Sequence, residues 1–256
     1  MAQDAAGARG SMAFRRVLLK ISGEGFGKAG EKGVDPTEVD RIARQIAEVH
    51  ALGREVAVVM GAGNLVRGSM FESSGMDRVT ADHMGMVATM INALSLQDRL
   101  GQLGVEVRAM TAIPTGNIVE PYVHRRAIQY LSEGRIVLLA GGTGHPFFTT
   151  DTTAALRAIE IGADALLKAT QVDGVYSADP RKDPTARRLD GLEYMEVIRE
   201  GYRVMDLTAI TLCMEHAMPI VVFNLWEAGN MRRVVCGEPV GTLIASAAAQ
   251  ASRRAP

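Results

Sequence analysis

Compact apolar runs of strand length recur along this chain, separated for the most part by stretches with helical spacing, and that alternation leaves few folds open. The runs are RRVLLKI at 15–21, REVAVVM at 54–60, VEVRAM at 105–110, RIVLLAG at 135–141, DALLKA at 164–169, PIVVFNL at 219–225 and GTLI at 241–244. Their near-continuous apolar character is that of strands covered on both faces in a parallel sheet. Between the first two, Asp35-Pro36-Thr37-Glu38 has the form of a capping box with proline at the first helical position, and Val39, Ile42, Ile46 and Val49 mark one face of a helix that Gly53 stops. A longer, methionine-rich helix is expected over Asp77 to Leu103. The fold class is therefore α/β, with right-handed crossovers, a mainly parallel central sheet and helices on both faces. Residues 14–246 read as one domain, 1–13 as a disordered arm and 247–256 as a disordered tail, with Asp173 to Leu192 a long excursion.

Charge and cysteine content exclude several functions. Lys plus Arg is 28 against Asp plus Glu at 29, so no global field favours nucleic acid or an anionic membrane, and any anion site must be local. Cys213 and Cys236 form no spaced cluster, which argues against a disulfide framework or structural zinc and for a reducing, cytoplasmic setting. No apolar run approaches the roughly 20 residues of a membrane span, and the first residues lack the order of a signal peptide.

Three of the loops that follow strands are rich in glycine: Ser22-Gly23, Gly61-Ala62-Gly63-Asn64 and Gly141-Gly142-Thr143-Gly144. Ligands on open parallel sheets gather at those strand ends, and bare amides there suit phosphate oxygens. One such loop would be ordinary connection geometry; three point to phosphate. No G-x-x-x-x-G-K-[ST] occurs, and Val66 stands where a dinucleotide fingerprint wants glycine. What remains is a composite phosphate site, with Lys20 and Lys168 near the ends of two strands and Arg67 beyond the second loop. A lysine within an apolar strand is costly to bury without an anionic partner, so the pair favours a charged ligand over snorkelling.

Six segments carry a more specific likeness: Lys20-Ile-Ser-Gly, Gly61-Ala-Gly-Asn-Leu-Val-Arg67-Gly, Asp82-His-Met-Gly-Met, Gly142-Thr-Gly-His-Pro-Phe-Phe-Thr-Thr-Asp151, Lys168-Ala-Thr-Gln-Val-Asp-Gly-Val-Tyr-Ser-Ala-Asp179-Pro and Val204-Met-Asp206-Leu. In this order, from about residue 15 to 244, the chain resembles the bacterial UMP-phosphorylating members of the amino acid kinase family. The resemblance implies a three-layer αβα sandwich, ATP-dependent phosphorylation of UMP to UDP with Mg2+, a homohexamer, a GTP effector and a UTP inhibitor. It implies catalytic roles for Lys20, Lys168, Asp151 and Asp206, with Asp206 orienting Lys20 and Asp151 holding a lysine or a magnesium-bound water; it assures no direct protein ligand to the metal. ATP would lie against Lys20, Ile21, Ser22, Gly23, Gly63, Arg67, Thr170, Tyr176 and Asp179. UMP would lie against Ala62, Asp82, Thr143, Gly144, His145, Pro146, Phe147, Phe148, Thr149 and Thr150. GTP would draw on Lys28, Ala29, Gly30, Glu31, Lys32, Gly33 and Arg108.

Two departures from the family pattern touch selectivity. Ala62 stands where a third glycine is common, and His145 where asparagine is common, near the expected base edge; a histidine there could make UMP binding depend on pH. Gln97 and Gly101 lie where basic residues are sometimes found, which bears on GTP. The methionines, Cys213, His216, Cys236 and Trp226 read as packing. Two alternatives stay open: a relative phosphorylating a carboxylate or carbamate, and a non-catalytic nucleotide or oxyanion binder of the same fold.

Overall fold

In a computed structural model of the chain, residues 14–66, 75–180 and 182–254 are described. The expected arm over 1–13 and Arg67 lie outside the described residues. The elements run in the order β1 (Arg16–Ile21), a 3-10 turn (Gly23–Phe26), α1 (Pro36–Ala51), β2 (Glu55–Met60), α2 (Arg78–Gln102), β3 (Val107–Thr111), β4 (Glu120–Pro121), α3 (His124–Ser132), β5 (Ile136–Ala140), α4 (Thr150–Glu160) and β6 (Ala165–Thr170). After these come β7 (Val175–Tyr176), β8 (Arg188–Leu189), β9 (Gly191–Leu192), α5 (Tyr194–Glu200), α6 (Leu207–Glu215), β10 (Ile220–Asn224), α7 (Asn230–Val235), β11 (Thr242–Ile244) and α8 (Ala247–Arg254).

Nine strands form one sheet in the order β4-β3-β5-β2-β1-β6-β10-β11-β9, parallel throughout except where β11 runs against β10. Successive side chains of each strand point to opposite faces, so each strand feeds two cores. Val17, Leu19 and Ile21 of β1 join one cluster with Ile42 and Ile46 of α1, Leu96 of α2 and Val234 of α7. Leu18 joins the other, with Leu131 of α3, Ala155 of α4, Val197 of α5 and Ile210 of α6. These are the three layers, and the residues of the central strands β2 and β5 are buried on both sides, each large apolar side chain contributing about 1.5–3 kcal/mol. No helix among the described residues is long and apolar enough to cross a membrane.

Two local expectations are corrected. Asp35 does cap α1, accepting from the amides of Thr37 and Glu38, but the reciprocal half of the capping box is absent. The Asp35 amide donates instead to the Phe26 carbonyl, and the Glu38 carboxylate accepts from the Trp226 indole at 3.3 Å. The expected disordered tail is helical over Ala247–Arg254, and Gln250 donates from its side chain to the Ala245 carbonyl. The excursion after β6 folds as the antiparallel β7–β8 pair followed by β9, which adds to the sheet's far edge.

Candidate active site

Lys20 and Lys168 are opposed residues in the register of β1 and β6, on the face against which α4 packs. Parallel neighbours lie about 4.8 Å apart. Asp151, in the first turn of α4, sets one carboxylate oxygen between them: Oδ1 is 2.8 Å from Lys20 Nζ and 2.5 Å from Lys168 Nζ. Both lysines are buried, at 6% and 8% exposure, with apolar neighbours along their own strands. Burial alone would raise the Asp151 carboxyl, but the ammonium groups of Lys20 and Lys168 outweigh it and hold it below the ordinary range. Burial pushes the Lys168 ammonium down to about 8, the Lys20 charge adds to the fall, and Asp151 offsets only part of it. Two cations thus share one anion, which leaves the cluster ready to take a further negative charge.

The loops after β1 and β2 meet backbone on backbone. A Cβ on Gly23 would stand 2.2 Å from the Gly63 nitrogen and 2.6 Å from Ala62 backbone atoms. The missing side chains are therefore what allows the two phosphate-type loops to form one floor.

On one side of β1 lies a cavity of about 310 Å³ at the ends of β2 and β5. Of the expected acceptor set, Ala62, Asp82, Thr143, Phe148, Thr149 and Thr150 line it. Gly144, His145, Pro146 and Phe147 do not. His145 is exposed, with its amide donating to Thr143 Oγ1 at 3.2 Å. Phe147 is tied to the site through its backbone, donating its amide to Asp82 Oδ2 at 2.7 Å. Its φ of 71° is in the left-handed region that a bulky residue rarely adopts, and the Arg78 guanidinium, paired to Asp82, covers its ring.

On the other side of β1, at the ends of β6 and β10, is a cavity of about 460 Å³ lined by Thr170, Tyr176 and Asp179 of the expected donor set. The segment Glu200 to Val204 also lines it and was missed, as were Gly85, Met86 and Thr89 on the acceptor side. Gly85 and Met86 sit inside the Asp82-His-Met-Gly-Met segment, which was the available signal. Gly201 to Arg203 carried none, because only the fold brings the α5–α6 turn beside β6.

The expected contact of Asp206 with Lys20 is corrected: the carboxylate paired with Lys20 is that of Asp151. Asp206 caps α6, accepting from the Ala209 amide at 3.0 Å, and takes the hydroxyls of Thr152, at 2.9 Å, and of Thr149. It thereby fixes the start of α4, where Thr149 is itself the cap. The residues expected for GTP are split. Lys28 to Glu31 line a cavity of about 380 Å³ with Glu24 and Trp226. Arg108 lines a separate one of about 670 Å³ with Gln97 and Gly101. Two cationic side chains between two cavities can neutralise an anionic group as it passes from one to the other.

The chain matches the model of the amino acid kinase family over residues 15–224. It is 56% identical over 233 residues to the uridylate kinase of Paramagnetospirillum magneticum, 91% of this chain and 97% of that protein. To the uridylate kinase of Legionella pneumophila it is 52% identical over 231 residues, 90% of this chain and 94% of the relative. The solved structure of UMP kinase from Bacillus anthracis superposes with a TM-score of 0.90 at 42% identity, covering 91% of this chain and 97% of that one.

Proposed function

The chain belongs to the amino acid kinase family, and from that premise we propose that it transfers the γ-phosphoryl group of ATP to UMP, giving UDP and ADP. The observation that carries the reading is the Lys20–Asp151–Lys168 cluster placed by strand order between two cavities. ATP occupies the cavity at β6 and β10, UMP the one at β2 and β5, and their phosphates meet over the end of β1.

The UMP phosphate is already an oxyanion near neutral pH, so its attack needs no strong general base, and catalysis reduces to alignment and charge neutralisation. Lys20 and Lys168 supply the positive charge; Asp151 keeps both ammonium groups on one spot. The joined backbones of Gly23 and Gly63 bring amides to the donor phosphates, and Arg67 adds a cation. Asp82 accepts from a ribose hydroxyl, exchanging its bond with the Phe147 amide. Asp206 acts through Thr149 and Thr152, holding the helix start that carries Asp151.

Magnesium fits this site as an ion carried on the nucleotide. No three His, Cys, Asp or Glu side chains cluster as metal ligands among the described residues, and the Asp151 carboxylate is engaged by lysines. Magnesium commonly binds through substrate phosphates and retained waters, and there it supplies charge neutralisation on the donor.

The same reading places the enzyme in the cytoplasm as a homohexamer, activated by GTP and inhibited by UTP. Support for assembly comes from an exposed apolar stripe on α2, Met84, Val87, Ile91 and Leu94, at helical spacing. The test of the central claim is a coupled assay with ATP, magnesium and, separately, UMP, CMP, dUMP, glutamate and aspartate. UMP is expected as the preferred acceptor; transfer to an amino acid, or to none of them, would refute the reading.

A further inference from the structure

Two asparagines sit in the core where apolar side chains would pack more cheaply. Asn92, in the middle of α2, is fully buried, and Asn64, in the loop after β2, is 4% exposed. A buried amide costs free energy unless each of its groups is bonded. Here all four amide hydrogens are used. Asn92 Nδ2 donates to the Gly61 carbonyl at 2.8 Å and to Asn64 Oδ1 at 2.9 Å. Asn64 Nδ2 donates to Asn92 Oδ1 at 3.0 Å and to the Gly33 carbonyl at 2.9 Å. The Gly33 amide returns a bond to the Asn64 carbonyl at 2.9 Å. The two glycine carbonyls accept only from the amino end of each side chain, so they fix the orientation of both amides.

Gly61 opens the loop that floors the acceptor cavity. Its amide is bonded to the Ile21 carbonyl of β1 at 2.9 Å and its carbonyl to Asn92 of α2, which pins that peptide between sheet and helix. The next residue, Ala62, lines the cavity, and Gly63 abuts Gly23. One turn earlier on the same helix, Thr89 Oγ1 accepts from the Gly141 amide at 2.8 Å, so α2 also holds the loop after β5. Neither Asn92 nor Asn64 lines the cavity at β6 and β10.

We propose that Asn92 is a positioning residue for the phosphate acceptor: through the Gly61 carbonyl it sets the acceptor loop, and through Asn64 it ties that loop to the chain at Gly33. The inference rests on the reading of UMP as acceptor. Its consequence is asymmetric. Loss of the amide frees the Gly61 peptide directly, whereas Gly63, which serves the donor phosphates, keeps its close approach to Gly23, so the larger damage falls on KM for UMP and the smaller on KM for ATP.

The test is steady-state kinetics, with calorimetric binding of UMP and of ATP, on wild type, Asn92→Ala and the double variant Asn64→Leu/Asn92→Leu. Asn92→Ala strands the Asn64 amide as well as the Gly61 carbonyl, whereas the double variant leaves only the Gly61 and Gly33 carbonyls without their side-chain donors, so it keeps the question open if Asn92→Ala fails to fold. The expected result in a folded variant is a rise in KM and Kd for UMP of about tenfold, the scale of one lost hydrogen bond, with KM for ATP within about twofold. Equal losses for both substrates, or no change in either, in a variant that melts as a folded protein would overturn the proposal. A wild-type protein that neither binds nor phosphorylates UMP would instead bring down the assignment of the acceptor, and the two failures are told apart by that control.

Discussion

Lys20 and Lys168 are register partners on adjacent parallel strands, and both ammonium groups converge on the same oxygen of Asp151. Neither charge is placed to stabilise the fold, because each is nearly buried and the pair carries one more positive charge than its carboxylate balances. Such an arrangement is worth its cost only when an anion completes it. Replacing Lys20 or Lys168 by Met removes one charge from the transferring group while keeping its packing volume. Turnover should fall on the order of 10²–10³-fold, the scale of removing one preorganised donor. Stopped-time assays at saturating ATP and UMP, with melting curves as a folding control, measure it; near-normal turnover would remove that lysine from the mechanism.

The same cluster predicts a pH profile. Lys168 in the free enzyme has its ammonium lowered from 10.5 to about 8. Above that pH the site loses a charge, so kcat/KM, which reports the free enzyme, should decline as pH rises past about 8. Bound phosphates favour the charged form, so kcat should hold to higher pH. Stability runs the other way. Between about 8 and 10.5 the unfolded chain binds a proton that the folded one does not, so this group makes unfolding harder as pH rises through that window. The depressed Asp151 carboxyl contributes stability above its ordinary 3.8, which is lost on acidification. Parallel declines of kcat and kcat/KM would place the titrating group elsewhere.

The sheet was legible because the strand runs are buried on both faces and so are apolar throughout, as Val17 to Leu19 and Val56 to Val59 are. Local chemistry also reads well: Asp35 and Asp77 cap the helices they were expected to begin. The site's lysines stood out as charges inside such runs. Contacts between distant segments were less visible. Asp206 and Asp151 are both acidic residues at helix starts, and only the packing of α4 against α6 decides which of them reaches Lys20. Glu38 had the right spacing for a capping box, but the indole of Trp226, 188 residues away in sequence, competes for its carboxylate.

Asp206→Ala separates these two carboxylates. It removes the cap of α6 and the acceptor for the Thr149 and Thr152 hydroxyls, yet leaves both lysine contacts of Asp151 in place. Loss of an N-cap costs about 1–2 kcal/mol, which should appear as a lower melting temperature. Because the start of α4 lines the acceptor cavity through Thr149 and Thr150, KM for UMP should rise while ATP binding changes little. A fall in turnover as large as that of Lys20→Met would show that Asp206 acts on the transferring group directly.

Gly23→Ala probes the floor between the two nucleotides. The atoms a new Cβ would meet, the Gly63 nitrogen at 2.2 Å and the Ala62 carbonyl carbon at 2.6 Å, are all backbone, so no side chain can swing aside. The loops after β1 and β2 must separate, and overpacking of this kind costs about 1–3 kcal/mol even where side chains can adjust. Separation carries the donor-side amides of Gly23 and Gly63 away from each other, so ATP affinity should fall at least tenfold, by analogy with the loss of one or more charge-assisted bonds. Gly101→Ala is the matching control, since nothing lies within 4 Å of a Cβ there and the residue is within α2. Helix propensity should raise its stability by up to about 1 kcal/mol with ATP binding unchanged. Calorimetry with ATP and thermal melts of the two variants decide the matter: wild-type ATP affinity in Gly23→Ala would mean that the close approach of these loops is packing alone.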